Sequence, residues 1–234
     1  MELFVGTSGW AYPWNNGGSL DWYVSESGLN AVELNMSFYR LPFEKMINSW
    51  AVKGKTLRWV VKVNRMITHV YKFSTEALKF WERFFNLFKP LDSLISFYLF
   101  QLPPSTGSDA AYVIESFINR IGLNGRVALE ARNIEWFSEA YVKWAERLGA
   151  VFVSVDCPKL PLDIYNVNGV VYVRMHGRSA WYTHYYSEAE LQEVSERIFK
   201  VKPERVYVFF NNDRGMLENG RRMLQLLKDR FNVS

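Results

Sequence analysis

Leu3-Phe4-Val5-Gly6-Thr7-Ser8-Gly9-Trp10 runs a short apolar strand directly into a turn. A doubly wound sheet that holds a dinucleotide would place a Gly-x-Gly-x-x-Gly turn here, with small residues facing the phosphates. Gly6 and Gly9 have the wrong spacing for that turn, and Trp10 puts an indole where a phosphate would approach. Outward from this turn the chain alternates. Strands are expected at Leu3–Gly6, Ala31–Asn35, Leu57–Val63, Leu94–Gln101, Arg126–Glu130, Ala150–Asp156, Val170–His176 and Arg205–Phe210. Helical periodicity fills Leu20–Ser27, Phe43–Lys53, Ser74–Phe88, Ser108–Ile121, Phe137–Leu148, Ser187–Lys200 and Gly215–Phe231. Ser187 and Glu190 have capping-box spacing, which marks one helix start. Between Cys157 and Gly169, Pro158 and Pro161 argue against a regular helix. Strict alternation of this kind predicts an α/β fold, a single TIM-type (β/α)8 barrel over residues 1–234 with the sixth helix missing or very short.

The 234 residues suit one domain, and 49% apolar with 22% charged residues is an ordinary globular composition. Cys157 is the single cysteine, which excludes an intrachain disulfide and a Cys-based zinc site. No apolar run reaches the length of a membrane span, and the N-terminus opens into a strand without a leader pattern. A cytoplasmic protein with no membrane partner is the expectation. The net charge of +4 is small, and the clustered Lys/Arg runs of a dedicated nucleic-acid binder are missing. Oligomeric state is not legible.

Parity along the strands adds a functional clue. In a barrel, alternate residues point inward and the active site lies at the carboxyl ends of the strands. One parity is apolar throughout. The other ends in Glu33 and Asn35, Lys62, Gln101, Glu130 and Arg132, Asp156, and Arg174 and His176, with Asn211 and Asn212 closing the last strand. Burying such groups unpaired costs several kcal/mol each, so they must satisfy one another or meet a ligand. A self-satisfied ion-pair network is one outcome and a ligand site is the other. All three histidines, His69, His176 and His184, fall in or just before loops that follow strands. Trp81, Phe84, Phe85, Phe88 and Trp144 lie at helical spacing and read as core. Trp10, Tyr12, Trp14, Phe38, Tyr39, Trp136, Trp181, Tyr182, Tyr185 and Tyr186 sit in loops instead, where they would suit a flat ligand or pack as a lid.

The same residues carry a family resemblance. Gly6-Thr7-Ser8-Gly9-Trp10-x-Tyr12-x-Trp14 resembles the opening of the YecE-like family, the domain of unknown function numbered seventy-two. Val32-Glu33-x-Asn35-x-Ser37-Phe38-Tyr39-Arg40-x-Pro42, the Lys62 strand with Ile67-Thr68-His69, and Gln101-Leu102-Pro103-Pro104-Ser105 follow in family order. So do Glu130-x-Arg132-x-x-x-Trp136, Arg174-x-His176-Gly177 and Phe210-Asn211-Asn212. The resemblance spans residues 1 to about 220 and implies a TIM-type barrel, with no activity to carry over. The segment after Trp14 is shorter than the family's, Glu135 stands where Ser is common, and Gly220 where Ala is usual.

Three chemistries are open to such a ring. Acid/base catalysis on an anionic, hydroxyl-bearing substrate would use Glu33, Glu130, Asp156 and His176 for proton transfer. Lys62, Arg132 and Arg174 would hold a phosphate or carboxylate, and Asn35, Gln101, Asn211 and Asn212 would orient hydroxyls. Trp10, Tyr39, Arg40, His69 and Trp136 complete the expected substrate-binding set. A metal-dependent hydrolase or isomerase is the second reading, with the carboxylates and His176 around a divalent ion, although the neighbouring guanidinium groups compete for the same carboxylates. A nucleotide or single-stranded nucleic-acid binding module without turnover is the third, with loop aromatics as stacking platforms. Cys157 has no assignable histidine partner, so nucleophilic catalysis through it has little support.

Overall fold

A computed structural model of the chain describes residues 1–233. Its order is β1 (Glu2–Thr7), α1 (Leu20–Glu26), β2 (Ala31–Leu34), α2 (Met36–Tyr39), α3 (Glu44–Lys53), β3 (Arg58–Lys62), α4 (Thr75–Phe88), β4 (Ile95–Gln101) and α5 (Ala111–Ile121). It continues with β5 (Val127–Glu130), α6 (Glu139–Arg147), β6 (Ala150–Phe152), β7 (Ser154–Asp156), β8 (Asn166–Val167), β9 (Val170–Met175), α7 (Glu188–Lys200), β10 (Arg205–Phe210) and α8 (Met216–Phe231). All eight expected strand regions and all seven expected helices are present. The expected sixth strand is divided at Val153. The part before it ladders with β5 and the part after it with β9, so its two halves answer to different partners. Among the described residues no helix lies between β7 and β8. Its place is taken by the proline-bearing segment and β8, which turns back antiparallel onto β9. Three short features have no sequence period to betray them: the four-residue α2, a π-turn at Met66–Val70, and 3-10 turns such as Asp213–Gly215.

The chain resolves into two compact units, Met1–Glu33 with Thr56–Arg58 and Val153–Ser234, and Leu34–Lys55 with Trp59–Phe152. In the first, β1 pairs in parallel with both β2 and β10, β10 with β9, and β9 with β7. Gly6 allows the close approach of β2: a Cβ there would stand 2.1 Å from the Ala31 carbonyl oxygen. Helix α8 covers β1 and β10 and packs on α7. The capping box that starts α7 is present, with Ser187 and Glu190 bonding each other's backbone N–H. In the second unit β3, β4, β5 and β6 pair in parallel in that order. Its core is aromatic, with Trp81 of α4 packed against Tyr98 and Phe100 of β4 at 5.2 and 5.6 Å between centroids. Strand residues such as Val60, Val61, Val171 and Val173 are buried on both parities, as expected of parallel strands covered on both faces. Among the described residues no helix is long and apolar enough to cross a membrane.

Candidate functional site

In the first unit, β9 presents Tyr172 and Arg174 on one parity, facing Glu33 of β2 and Ser8 just after β1. The Glu33 carboxylate accepts three hydrogen bonds. Ser8 Oγ donates to Oε1 at 2.7 Å, Arg174 Nη2 to Oε1 at 2.5 Å, and the Tyr172 hydroxyl to Oε2 at 2.6 Å. Glu33 and Arg174 are both 0% exposed. A buried pair of this kind is held by its own hydrogen bonds, and removing either partner leaves an uncompensated charge. Glu33 and Arg174 therefore stand together, but as a neutralised pair whose carboxylate is already supplied with donors. Ser8 and Tyr172 were not singled out from sequence. Tyr172 shares parity with Arg174, which is a usable signal, whereas nothing local marks Ser8.

Beyond this layer, His176 follows β9 and is fully buried. The Asn211 side-chain amide lies 3.2 Å from its Nδ1, and an amide N–H directed there leaves the ring proton on Nε2. Trp181 and Tyr182 flank the ring at 5.5 and 5.8 Å. Asp156, at the end of β7, organises the following loop. Its Oδ1 accepts from the Tyr186 hydroxyl at 2.9 Å, its Oδ2 from Arg178 Nε at 3.0 Å, and its carbonyl from the N–H groups of His176 and Gly177. Burial outweighs the Arg178 charge and pushes its carboxyl above the usual range. Asn212 Nδ2 donates to the His184 carbonyl and to Asn219 Oδ1. Trp10 is half-buried, and its carbonyl accepts from Asn15 Nδ2 at 2.8 Å.

The second unit gathers a different set. Lys62 ends β3 nearly buried, with Nζ 4.0 Å from the centre of the Phe38 ring on α2, a cation–π contact. Ser37 Oγ donates to the Lys62 carbonyl at 2.6 Å, and Asn64 Nδ2 donates to the Ser37 carbonyl at 2.8 Å, so α2 and the end of β3 are tied together. His69 sits on the π-turn, edge-on to Phe38, with Nδ1 2.7 Å from Thr68 Oγ1. Its pKa is lowered to about 4, first by burial and then by the charges of Lys62 and Arg65. Turns of this type are frequent at functional sites. Asn35 precedes α2, and its buried Oδ1 has no hydrogen-bond partner. Tyr39 is 66% exposed, and Arg40 beside it is exposed with Nη2 3.4 Å from Met36 Sδ.

Glu130, fully buried, pairs with the half-buried Arg132 at 2.5 Å. Gln101 Nε2 donates to the Leu102 carbonyl at 3.3 Å. Trp136 differs from the expectation of a loop platform. It is 0% exposed, donates from Nε1 to the Thr106 carbonyl, and packs on Tyr141 and Trp144. Phe38, which lies on α2, and Tyr186, also counted among loop aromatics, are buried too. Among the described residues no three His, Cys, Asp or Glu side chains converge as a metal ion would require. Arg65 and Thr68 join the His69 set without having been singled out as ligand contacts.

A model of the family described as protein of unknown function DUF72 matches residues 4–233. The chain belongs to this family. Crystal structures of two DUF72 proteins share its fold. One from Enterococcus faecalis V583 is 20% identical with a TM-score of 0.83, covering 99% of this chain and 96% of that one. One from Thermotoga maritima MSB8 is 24% identical with a TM-score of 0.81, covering 99% and 100%. A fusion protein titled as a xylose isomerase-like TIM barrel with a 4-hydroxyphenylpyruvate dioxygenase is 12% identical with a TM-score of 0.61, covering 100% of this chain and 45% of that one. These likenesses establish the fold, an α/β barrel of the TIM type. No curated protein matches the chain.

Proposed function

We propose that this DUF72 protein is an enzyme of acid/base chemistry on a small anionic, hydroxyl-bearing molecule such as a sugar phosphate or nucleotide. The observation that carries the reading is His69, kept neutral beside Lys62 and Arg65 on a π-turn. Burial is the larger cause of that neutrality and the Lys62 and Arg65 charges add to it; the same two charges would draw in a phosphate or carboxylate. Once the anion arrives it offsets the two cations, and the imidazole regains its affinity for a proton. His69 is then able to take a proton from a substrate hydroxyl or carbon and return it to a leaving oxygen. The orphaned Asn35 Oδ1 gives a substrate hydroxyl an acceptor. Glu33–Arg174 and Glu130–Arg132 support this reading as fixed ion pairs that shape the strand ends.

His69 NMR titration tests it. The free protein should titrate near pH 4, and inorganic phosphate should raise the midpoint by about one unit or more. Lys62→Met should blunt that response. A midpoint indifferent to phosphate, pyrophosphate and glucose 6-phosphate would sink the reading. With a turned-over substrate in hand, His69→Gln should lower kcat/KM by about 10²–10⁴. A nucleotide-binding module without turnover is the second reading, favoured by the exposed Tyr39 ring beside Arg40. It predicts nucleotide binding that is lost in Tyr39→Ala and no consumption of any bound nucleotide.

A further inference from the structure

The loop between β9 and α7 contains a second constellation that uses none of the residues assigned above to proton transfer. Gly177, at φ +109°, lets the chain fold back on itself; a Cβ there would meet the Ala180 carbonyl oxygen at 2.5 Å and the His184 Cβ at 2.6 Å. The turn brings Ser179 Oγ to 2.8 Å from His184 Nδ1. On the other side of the ring, His184 Nε2 lies 3.1 and 3.2 Å from the two oxygens of Glu190. An ionised carboxylate only accepts hydrogen bonds, so it selects the tautomer with the proton on Nε2. Nδ1 is then a lone pair, and the Ser179 hydroxyl donates to it. That is the arrangement a nucleophilic serine needs, a base within reach and a third group orienting the base. Burial pushes the Glu190 carboxyl up, but the Ser187 hydrogen bonds and the His184 ring more than offset this and hold it below the usual range, which keeps it an acceptor.

Helix capping alone does not account for the set. The capping box of α7 consumes Ser187 and Glu190 and makes no use of His184 or Ser179. Ser179 is exposed, as an attacking hydroxyl must be. His184 also lines a cleft of about 540 Å³ with Thr183, Tyr185, Asn212, Asp213 and Arg214. Gly215, which precedes α8 and makes no side-chain cap, also borders the cleft beside the exposed Arg214.

We propose that Ser179, His184 and Glu190 form a serine-hydrolase centre acting on small carboxylic esters. Ser179 Oγ bonds to the acyl carbon while its proton passes to His184 Nδ1. The ester C–O bond breaks, and that proton leaves on the alcohol. Water then attacks the acyl-enzyme, giving a proton to Nδ1; the acyl–Oγ bond breaks and Ser179 recovers the proton. The net change is ester plus water to acid plus alcohol, with Glu190 as a positioning residue.

A fluorophosphonate probe on the full chain, read by peptide mass, is the test. Adduct is expected on Ser179, lost in Ser179→Ala and slowed at least about tenfold in His184→Gln. Glu190→Gln should slow labelling similarly, with partial recovery in Glu190→Asp. Ile198→Ala, which removes a buried side chain of the same helix two turns beyond Glu190, should lower Tm and leave the labelling rate unchanged. p-Nitrophenyl acetate hydrolysis should fall in step with labelling. Absence of adduct on native protein, adduct only elsewhere, or an unchanged rate in folded His184→Gln would overturn the proposal. If His184→Gln does not fold, the Glu190→Gln and Ile198→Ala pair decides in its place: rates that track Tm alone overturn the proposal.

Discussion

Arg174 and Glu33 show what a buried charge demands of its neighbours. Arg174→Met leaves the Glu33 carboxylate without its cation, and the expected loss is about 3–5 kcal/mol in denaturant unfolding. The double variant Glu33→Gln with Arg174→Met should recover most of that, because no naked charge remains. His69 makes a prediction of the opposite kind. Its folded pKa lies at about 4, below the ordinary 6.5. Above pH 6.5 the ring is neutral folded and unfolded, so it contributes no pH dependence. Below that, the unfolded chain takes up a proton that the folded protein refuses until about pH 4, so stability falls as pH falls through this window. His69→Gln should flatten that part of the stability–pH curve measured by urea unfolding. Part of this scale is legible from strand parity, since Glu33, Lys62, Glu130 and Arg174 are buried on the strands expected to carry them, while Arg132 and His176 stand just beyond their strand ends. The donors that complete them are not. Ser8 meets Glu33 across 25 residues of sequence, and the cation–π seat of Lys62 is made by a four-residue helix that no periodicity announces.

At the level of elements, capping and turn chemistry carry the predictions. Ser187→Ala removes the side-chain acceptor at the start of α7 and should cost about 0.5–2 kcal/mol by thermal unfolding. Gly177→Ala puts a Cβ into the Ala180 carbonyl and into His184 at a backbone angle that L-residues avoid. It should unseat the loop at a cost of about 1–3 kcal/mol, visible as new proteolytic cleavage between residues 177 and 186. The long helices are readable because their apolar stripes recur at helical period, as α4 does with Ala77, Trp81, Phe84 and Phe88. The missing helix after β7 is readable from Pro158 and Pro161. The π-turn carrying His69 is not, because one extra residue in a single turn leaves no repeat to detect.

For the whole molecule, the aromatic wealth of the composition acquires a location. Trp81 stacks or crosses Phe84, Phe85, Tyr98 and Phe100 within the second unit, and Trp81→Ala should cost about 3–5 kcal/mol in denaturant unfolding. The alternation of strand and helix, readable from end to end, is enough for the TIM-type fold. The division into two compact units is not, because each is assembled from separated segments of chain. The ladder from Glu2 with Arg205 to Thr7 with Phe210 joins β1 to a strand made some two hundred residues later. On a ribosome adding about 5–20 residues per second, roughly 10–40 s pass between the two. For that interval one edge of β1 has no strand to pair with, and Leu3 and Val5 lack the cover that α8 later brings. A nascent chain held before β10 is made should therefore be cut by protease faster than the finished protein. Any premature stop before β10 should yield a product that is cleared rather than stored.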